Sequence, residues 1–212
     1  RVIDSKQLFK CNDGPLKETE NCEREMRELF GVEHAVLMTS GFAALTSALI
    51  GMGIGPGDEV IIPAYTYIAT AISVVNAGAM PVIAEVDETL MIDPIDVEAK
   101  ITERTKAIIP VHMMGYPCNM AAVMKIAKEH NLMVLEDACQ ANGAKFGAKR
   151  LGTIGDAGAF SFNYFKIISA GGEGGALLTD NKGIFEKALI YHDSSAVAYF
   201  GDQMRDFSTE SF

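Results

Sequence analysis

Apolar and polar positions along this chain follow two periods. Apolar runs of strand length fall near 34–38, 59–62, 81–86, 106–111, 132–136, 157–162 and 175–179. Between them, spacing close to one helical turn predicts helices near 17–30, 43–52, 67–77, 94–100, 119–129 and 182–191. Strand-like and helix-like stretches therefore alternate. That alternation predicts an α/β fold with a mostly parallel, seven-stranded sheet covered by helices on both faces. The run Leu132-Met133-Val134-Leu135 has no polar face, as expected of a strand buried on both sides. Gly53 to Asp58 forms a turn-rich connector, and Met80-Pro81 breaks before the next strand. No internal repeat or low-complexity segment interrupts the pattern.

In an open α/β sheet, ligands bind at the carboxyl ends of the strands. Three such ends carry candidate chemistry. The first is Glu136-Asp137-Ala138-Cys139-Gln140, where a carboxylate and an amide stand three residues apart on a strand-to-loop turn. Asp137 and Gln140 suit two edges of one flat polar ring; the competing reading of Asp137 is a turn or helix cap. The second is Thr39-Ser40-Gly41-Phe42-Ala43, which follows a strand and opens a helix. Free amides and the helix dipole attract phosphate there, and Gly41 permits close backbone approach. Glycine at such a turn is also common without any ligand.

The third is Lys166, set in Phe160-Ser161-Phe162-Asn163-Tyr164-Phe165-Lys166-Ile167-Ile168, with no other Lys or Arg between Arg150 and Lys182. An ammonium among Phe, Tyr and Ile loses hydration, which favours the neutral amine that attacks carbonyls. The competing reading is a lysine whose stem packs on the apolar run while its head reaches water. A Lys Schiff base with an Asp partner for a pyridinium nitrogen is the arrangement that pyridoxal 5′-phosphate (PLP) requires.

Further landmarks join these segments: Phe30-Gly31-Val32-Glu33-His34-Ala35, Gly53-Ile54-Gly55-Pro56-Gly57-Asp58-Glu59-Val60, Thr66-Tyr67-Ile68-Ala69-Thr70, Pro110-Val111-His112, Gly155-Asp156 and Gly172-Glu173-Gly174-Gly175. In this order and spacing, from Gly14-Pro15 to about His192, the chain resembles the DegT/DnrJ/EryC1/StrS sugar aminotransferases. These are PLP enzymes of the aspartate aminotransferase fold (fold type I). The resemblance implies that Lys166 forms the Schiff base and moves protons, and that Asp137 pairs with the pyridine nitrogen. It places Gln140 at the 3′-oxygen edge and Tyr67 on the ring face. Ser161 and the backbone amides of Phe42 and Ala43 would hold the phosphate, with Gly41 beside them. A core aromatic at Tyr67 and a backbone-bonded hydroxyl at Ser161 are the competing readings. His112 reads as structural, Glu173 as lining the lysine loop, and Asp156 as a turn residue.

The implied activity is amino transfer from glutamate or glutamine to a keto sugar: a nucleotide-linked sugar, an octulosonate-type sugar or a cyclitol. The alternatives are a PLP-dependent sugar dehydratase, whose relatives carry His at the lysine position, and a truncated protein that only binds. A Rossmann-type nucleotide module is a further alternative, but Gly53-Ile54-Gly55-Pro56-Gly57 lacks the G-x-G-x-x-G order.

The chain departs from the family pattern at Phe42, where many relatives have Thr, and in the Tyr164-Phe165-Lys166-Ile167 surroundings of the lysine. The Asn-x-Arg signature by which a partner subunit completes the site does not occur before Phe212. The resemblance implies that residues 1–212 are an incomplete PLP-binding large domain, lacking the family's small carboxy-terminal domain. It also implies a homodimer with a shared active site.

Composition narrows the classes further. A net charge of −10 without a basic run argues against nucleic acid and anionic membranes. No apolar stretch reaches the roughly 18 residues of a spanning helix, and no signal-peptide pattern is read. Cys11, Cys22, Cys118 and Cys139 lack a paired spacing, which predicts free thiols in a reducing cytoplasm and no metal site.

Overall fold

The computed structural model describes residues 2–6 and 17–193. Cys11, Gly14-Pro15 and the tail beyond Asp193 lie outside the described residues. After a short α1 (Val2–Ser5), the elements run α2 (Glu18–Phe30), β1 (His34–Met38), α3 (Gly41–Gly51), β2 (Glu59–Pro63), α4 (Ala69–Asn76) and β3 (Met80–Ala84). They continue with α5 (Pro94–Ala99), β4 (Thr105–Ile108), a 3₁₀ turn at Met113–Gly115, α6 (Met120–His130) and β5 (Met133–Asp137). A small hairpin of β6 (Lys145–Phe146) and β7 (Lys149–Arg150) precedes β8 (Ala157–Ser161), β9 (Gly175–Thr179) and α7 (Lys182–His192).

The seven main strands form one sheet in the order β1-β9-β8-β5-β4-β2-β3. The pairs β8–β5, β5–β4, β4–β2 and β2–β3 are parallel, while β9 runs antiparallel to both of its neighbours. Each expected strand is present. Val86 and Val111, read as strand ends, contribute only isolated bridges, to Ile92 and Asp137. The β6–β7 hairpin was not expected, because two-residue strands are too short to show a period.

Side-chain alternation sends neighbours to opposite layers. Leu177 and Ala159 face a core shared with Ile184, Ala188 and Leu189 of α7. Leu178 and Phe160 face a second core with Met26 of α2. The central strands β2, β8 and β9 are buried along their whole length, which explains their unbroken apolar character. Side-chain caps start the helices where the sequence places them. Asp93 accepts from the Ile95 amide ahead of α5 (2.9 Å), Asn119 from Ala122 ahead of α6 (3.2 Å) and Asn181 from Ile184 ahead of α7 (3.2 Å).

Two helix starts fall two residues from expectation, and both matter for the site. α3 begins at Gly41 rather than 43, because Ser40 adopts an extended conformation and caps it. α4 begins at Ala69 rather than 67, which leaves Tyr67 on the loop after β2. Among the described residues, no helix is long and apolar enough to cross a membrane.

Candidate active site

The carboxyl ends of β1, β2, β5 and β8 converge on one cavity of about 490 Å³, within the usual size of small-molecule sites. Its wall includes Gly41, Phe42, Tyr67, Asp137, Gln140, Ser161 and Lys166. Of the proposed site residues, only Ala43 is absent from the wall.

The helix start forms one end. Ser40 Oγ accepts from the Ala43 N–H at 3.0 Å, so that amide is already used. The Gly41 and Phe42 amides, in the first turn of α3, have no partner within the helix. A Cβ on Gly41 would stand 2.7 Å from Cys139 Sγ and 2.8 Å from Ser161 Cβ. Only glycine lets the helix end press against the tips of β5 and β8. Gly175 does the same from β9, since a Cβ there would collide with the Ser40 backbone. Ser161 is buried, and its Oγ receives only a long contact of 3.4 Å from the Asn163 amide. Among the described residues no acceptor takes its proton, so the hydroxyl is available to an anion.

Asp137 ends β5 and is 6% exposed. Its Oδ2 accepts from Thr70 Oγ1 at 2.8 Å and its Oδ1 from the Cys139 amide at 3.2 Å. Glu136 points to the opposite side of the strand, as the two-residue period requires. It is fully buried and accepts from the amides of Gly152 (2.8 Å), Ile154 (2.5 Å) and Gly155 (2.8 Å). It also pairs with His112 Nε2 at 3.0 Å. Because His112 Nδ1 accepts from the Cys118 amide, Nε2 carries the proton given to Glu136. The sequence treated His112 as structural, and its place in this buried pair agrees. Asp156, expected as a turn residue, also accepts from the Val134 amide at 2.7 Å and ties β5 to the start of β8.

Gln140 accepts from the Met114 amide at 3.0 Å, and its NH₂ has only the thioether of Met113 at 3.6 Å. Burial and the Asp137 charge raise the Cys139 thiol well above its ordinary range, so a neutral S–H lines the wall. Burial likewise pushes Cys118 up to about 12.

Lys166 lies in the loop between β8 and β9. Backbone bonds from Phe162 to Gly174 (2.7 Å), Tyr164 to Gly172 (2.7 Å) and Ala170 to Phe162 (2.9 Å) tie this loop. Asn163 accepts from the Phe165 amide (3.0 Å) and donates to Glu173 Oε1 (2.6 Å), another wall residue. The Lys166 ammonium sits 5.8 Å from the centre of the Tyr67 ring, within reach of a cation–π contact. It is the one cation among the described wall residues.

The expected desolvation of Lys166 by its sequence neighbours is not met within this chain. The lysine is half-buried, and Phe165 is 90% exposed, with Tyr164, Ile167 and Ile168 also exposed. The loop closes through its backbone, so these side chains stand outside both sheet layers. Thr66, Thr70 and Cys139 are the contributors that sequence reasoning missed. The signal was present for the threonines: at positions i and i+4 they share one face of an incipient helix.

Residues 4–209 match the DegT/DnrJ/EryC1/StrS aminotransferase family. The chain belongs to this family. GDP-perosamine synthase of Caulobacter vibrioides is 46% identical over 169 residues, which are 79% of this chain and 45% of that protein. The crystal structure of an aminotransferase from Psychrobacter cryohalolentis superposes with a TM-score of 0.85 at 41% identity, covering 90% of this chain and 48% of the other. NtdA of Bacillus subtilis, solved with bound cofactor PMP, gives 0.80 at 32% identity, covering 89% of this chain and 42% of the other. The chain thus spans about half the length of the curated relatives it matches, and its α/β sheet has the architecture of the family's fold type I enzymes.

Proposed function

We propose that this chain is the cofactor-binding large domain of a PLP-dependent aminotransferase that carries an amino group from glutamate or glutamine to a keto sugar. One observation carries the reading: a single amine, Lys166, shares a cavity with a buried carboxylate, Asp137, and an anion-ready helix start at Gly41. The donor set fits PLP. Gly41 and Phe42 amides with the Ser161 hydroxyl suit a phosphate; Asp137 suits a protonated ring nitrogen; the Gln140 NH₂ suits a ring oxygen; Tyr67 suits a ring face. Gly41, with no Cβ to clash with Cys139 and Ser161, brings the start of α3 onto the same wall as the Ser161 hydroxyl, and that pairing is what a phosphate needs.

When bound, the cofactor supplies an aldehyde and an electron-withdrawing ring. The protein does the rest. Lys166 Nζ would hold the aldehyde carbon and, as a free amine, would be the base in this wall that moves a proton at substrate carbon. Asp137 would hold a proton on the ring nitrogen. Tyr67 would cover one ring face. Burial and the Asp137 charge keep the Cys139 thiol protonated, which makes it a weaker nucleophile than a thiolate beside Lys166. A lysine at position 166, where dehydratase relatives carry histidine, favours amino transfer.

A nucleotide-linked keto sugar is the acceptor class best supported, since GDP-perosamine synthase is similar over four-fifths of the chain. The whole protein, loaded with PLP, is expected to turn over keto sugars with glutamate or glutamine, giving products heavier by one amino-for-oxo exchange in mass detection. Absence of PLP uptake and of any aminated product across nucleotide-linked, octulosonate-type and cyclitol ketones would reject the reading.

The working form we propose is a homodimer with an active site shared between subunits. Phe165, Ile167, Ile168, Tyr67 and Tyr116 leave apolar surface exposed in this single chain, and Phe165 and Tyr67 stand on the cavity wall. Burial of such a patch is what a second subunit supplies. PLP occupancy is then expected to fall on dilution through the dimer–monomer transition. Light scattering that shows a fully loaded, active monomer rejects the dimer. A cytoplasmic location fits the free thiols of Cys22, Cys118 and Cys139.

A further inference from the structure

Thr70, in the first turn of α4, is completely buried. A buried threonine in a helix ordinarily gives its hydroxyl to a carbonyl one turn earlier. Ser73, on the next turn, does this, donating to the Thr70 carbonyl at 2.8 Å. Thr70 instead donates across 67 positions of sequence to Asp137 Oδ2, at 2.8 Å. Its oxygen also lies 2.8 Å from Thr66 Oγ1, and Thr66 stands on the cavity wall. An ionised carboxylate only accepts. Thr70 therefore gives its proton to Asp137, and Thr66 gives its own to Thr70. Two hydroxyls in series point at the carboxylate, one from the cavity rim and one from the core.

We propose that Thr70, backed by Thr66, is a positioning residue for the cofactor. It fixes the Asp137 carboxylate on the cavity wall, where it would meet the ring nitrogen, before any ligand arrives. The Cys139 amide steadies Oδ1, so both oxygens have a fixed donor and the carboxylate cannot rotate without breaking one. The same bond fastens α4 to β5. Tyr67, three residues before Thr70, is then held in register with Asp137. The ring-face aromatic and the ring-nitrogen partner are set by one contact, a form of preorganisation that removes ordering from the binding step. The inference rests on the PLP reading above.

The test uses the whole protein with Thr70→Val, which keeps the shape and removes the hydroxyl, and Thr70→Ser, which restores it. Readouts are the Kd for PLP, the nitrogen-15 shift of ring-labelled PLP and the thermal midpoint of the apoprotein. Thr70→Val is expected to raise the Kd about tenfold, the scale of one hydrogen bond to a charged group, and to move the ring nitrogen toward its unprotonated shift. Thr70→Ser is expected to recover both. Thr66→Val is expected to weaken binding two- to threefold, roughly, as an outer link in a polarised chain. A Thr70→Val protein with lowered midpoint but wild-type Kd and ring signal overturns the proposal, since packing alone gives that pattern. Should Thr70→Val not fold, an unchanged ring signal and Kd in Thr66→Val overturn it equally. If wild-type protein itself takes up no PLP, the cofactor reading fails. If wild type binds and the hydroxyl variants match it, only the positioning role fails.

Discussion

Lys166→Ala is expected to remove the yellow, borohydride-sensitive absorbance of the PLP-loaded protein and to lower turnover by about 10⁴-fold or more. Two losses combine. On the proposed function, the amine that would anchor the cofactor aldehyde disappears, and so does the base that would move a proton at substrate carbon, a role worth roughly 10²–10⁴-fold by itself. No second amine can substitute, because Lys166 is the one cation among the described wall residues. The fold is expected to survive. The lysine is half-buried, and its ammonium lies 5.8 Å from the centre of the Tyr67 ring with no salt bridge among the described residues. Its loop is tied by backbone bonds that alanine retains, such as Lys166 N–H to Asn163 O at 2.9 Å. The midpoint should therefore shift by no more than an exposed substitution does, within about 0.5 kcal/mol. Absorbance spectra, borohydride trapping and steady-state rates on one preparation check this. An alanine variant that retains the band and wild-type kcat would remove Lys166 from the mechanism.

Asp137→Asn is expected to lower turnover per folded molecule by about 10²–10³-fold, the usual loss when a charge facing the reacting system is neutralised. Its geometry is nearly conserved. The amide oxygen can accept from Thr70 or from the Cys139 amide, but it carries no negative charge to keep a proton on the ring nitrogen. Without that proton the ring withdraws electrons poorly, and substrate carbon gives up its proton slowly. Stability should change much less. The carboxylate is 6% exposed and receives two neutral donors, so the amide removes a desolvation penalty as well as a contact. Comparing kcat, corrected for cofactor occupancy, with the thermal midpoint separates the two roles. A large fall in midpoint with near-normal turnover would make Asp137 a structural residue.

Period and composition were enough for the sheet. Apolar runs too short for helices, alternating with helical spacing, leave few packings other than a covered parallel sheet, and every expected main strand is present. The carboxyl ends of those strands could then be located before any coordinates, and Asp137, Gln140, Ser161, Gly41 and Phe42 all lie on the one cavity. This works because strand and helix periods are local properties, set by sterics and burial within ten or so residues.

Direction and partnership were not legible in that way. That β9 runs antiparallel depends on a tight 162–174 connection returning the chain, which the glycines around Glu173 hint at but do not decide. The environment of Lys166 was misjudged because apolar neighbours in sequence need not be neighbours in space, and a backbone-tied loop turned Phe165 and Ile167 outward. Ala43 sits in the first turn of α3, and its amide is bonded to the Ser40 hydroxyl, a partner that no period announces.

The hydroxyl chain from Thr66 through Thr70 to Asp137 was the least visible, because it joins residues 67 positions apart. The sequence by itself determined the layers of the fold and the strand ends where ligand chemistry gathers. Only the tertiary structure decided which donors meet which acceptors, because a hydrogen bond depends on distances of tenths of an ångström between distant segments, and no local period encodes them.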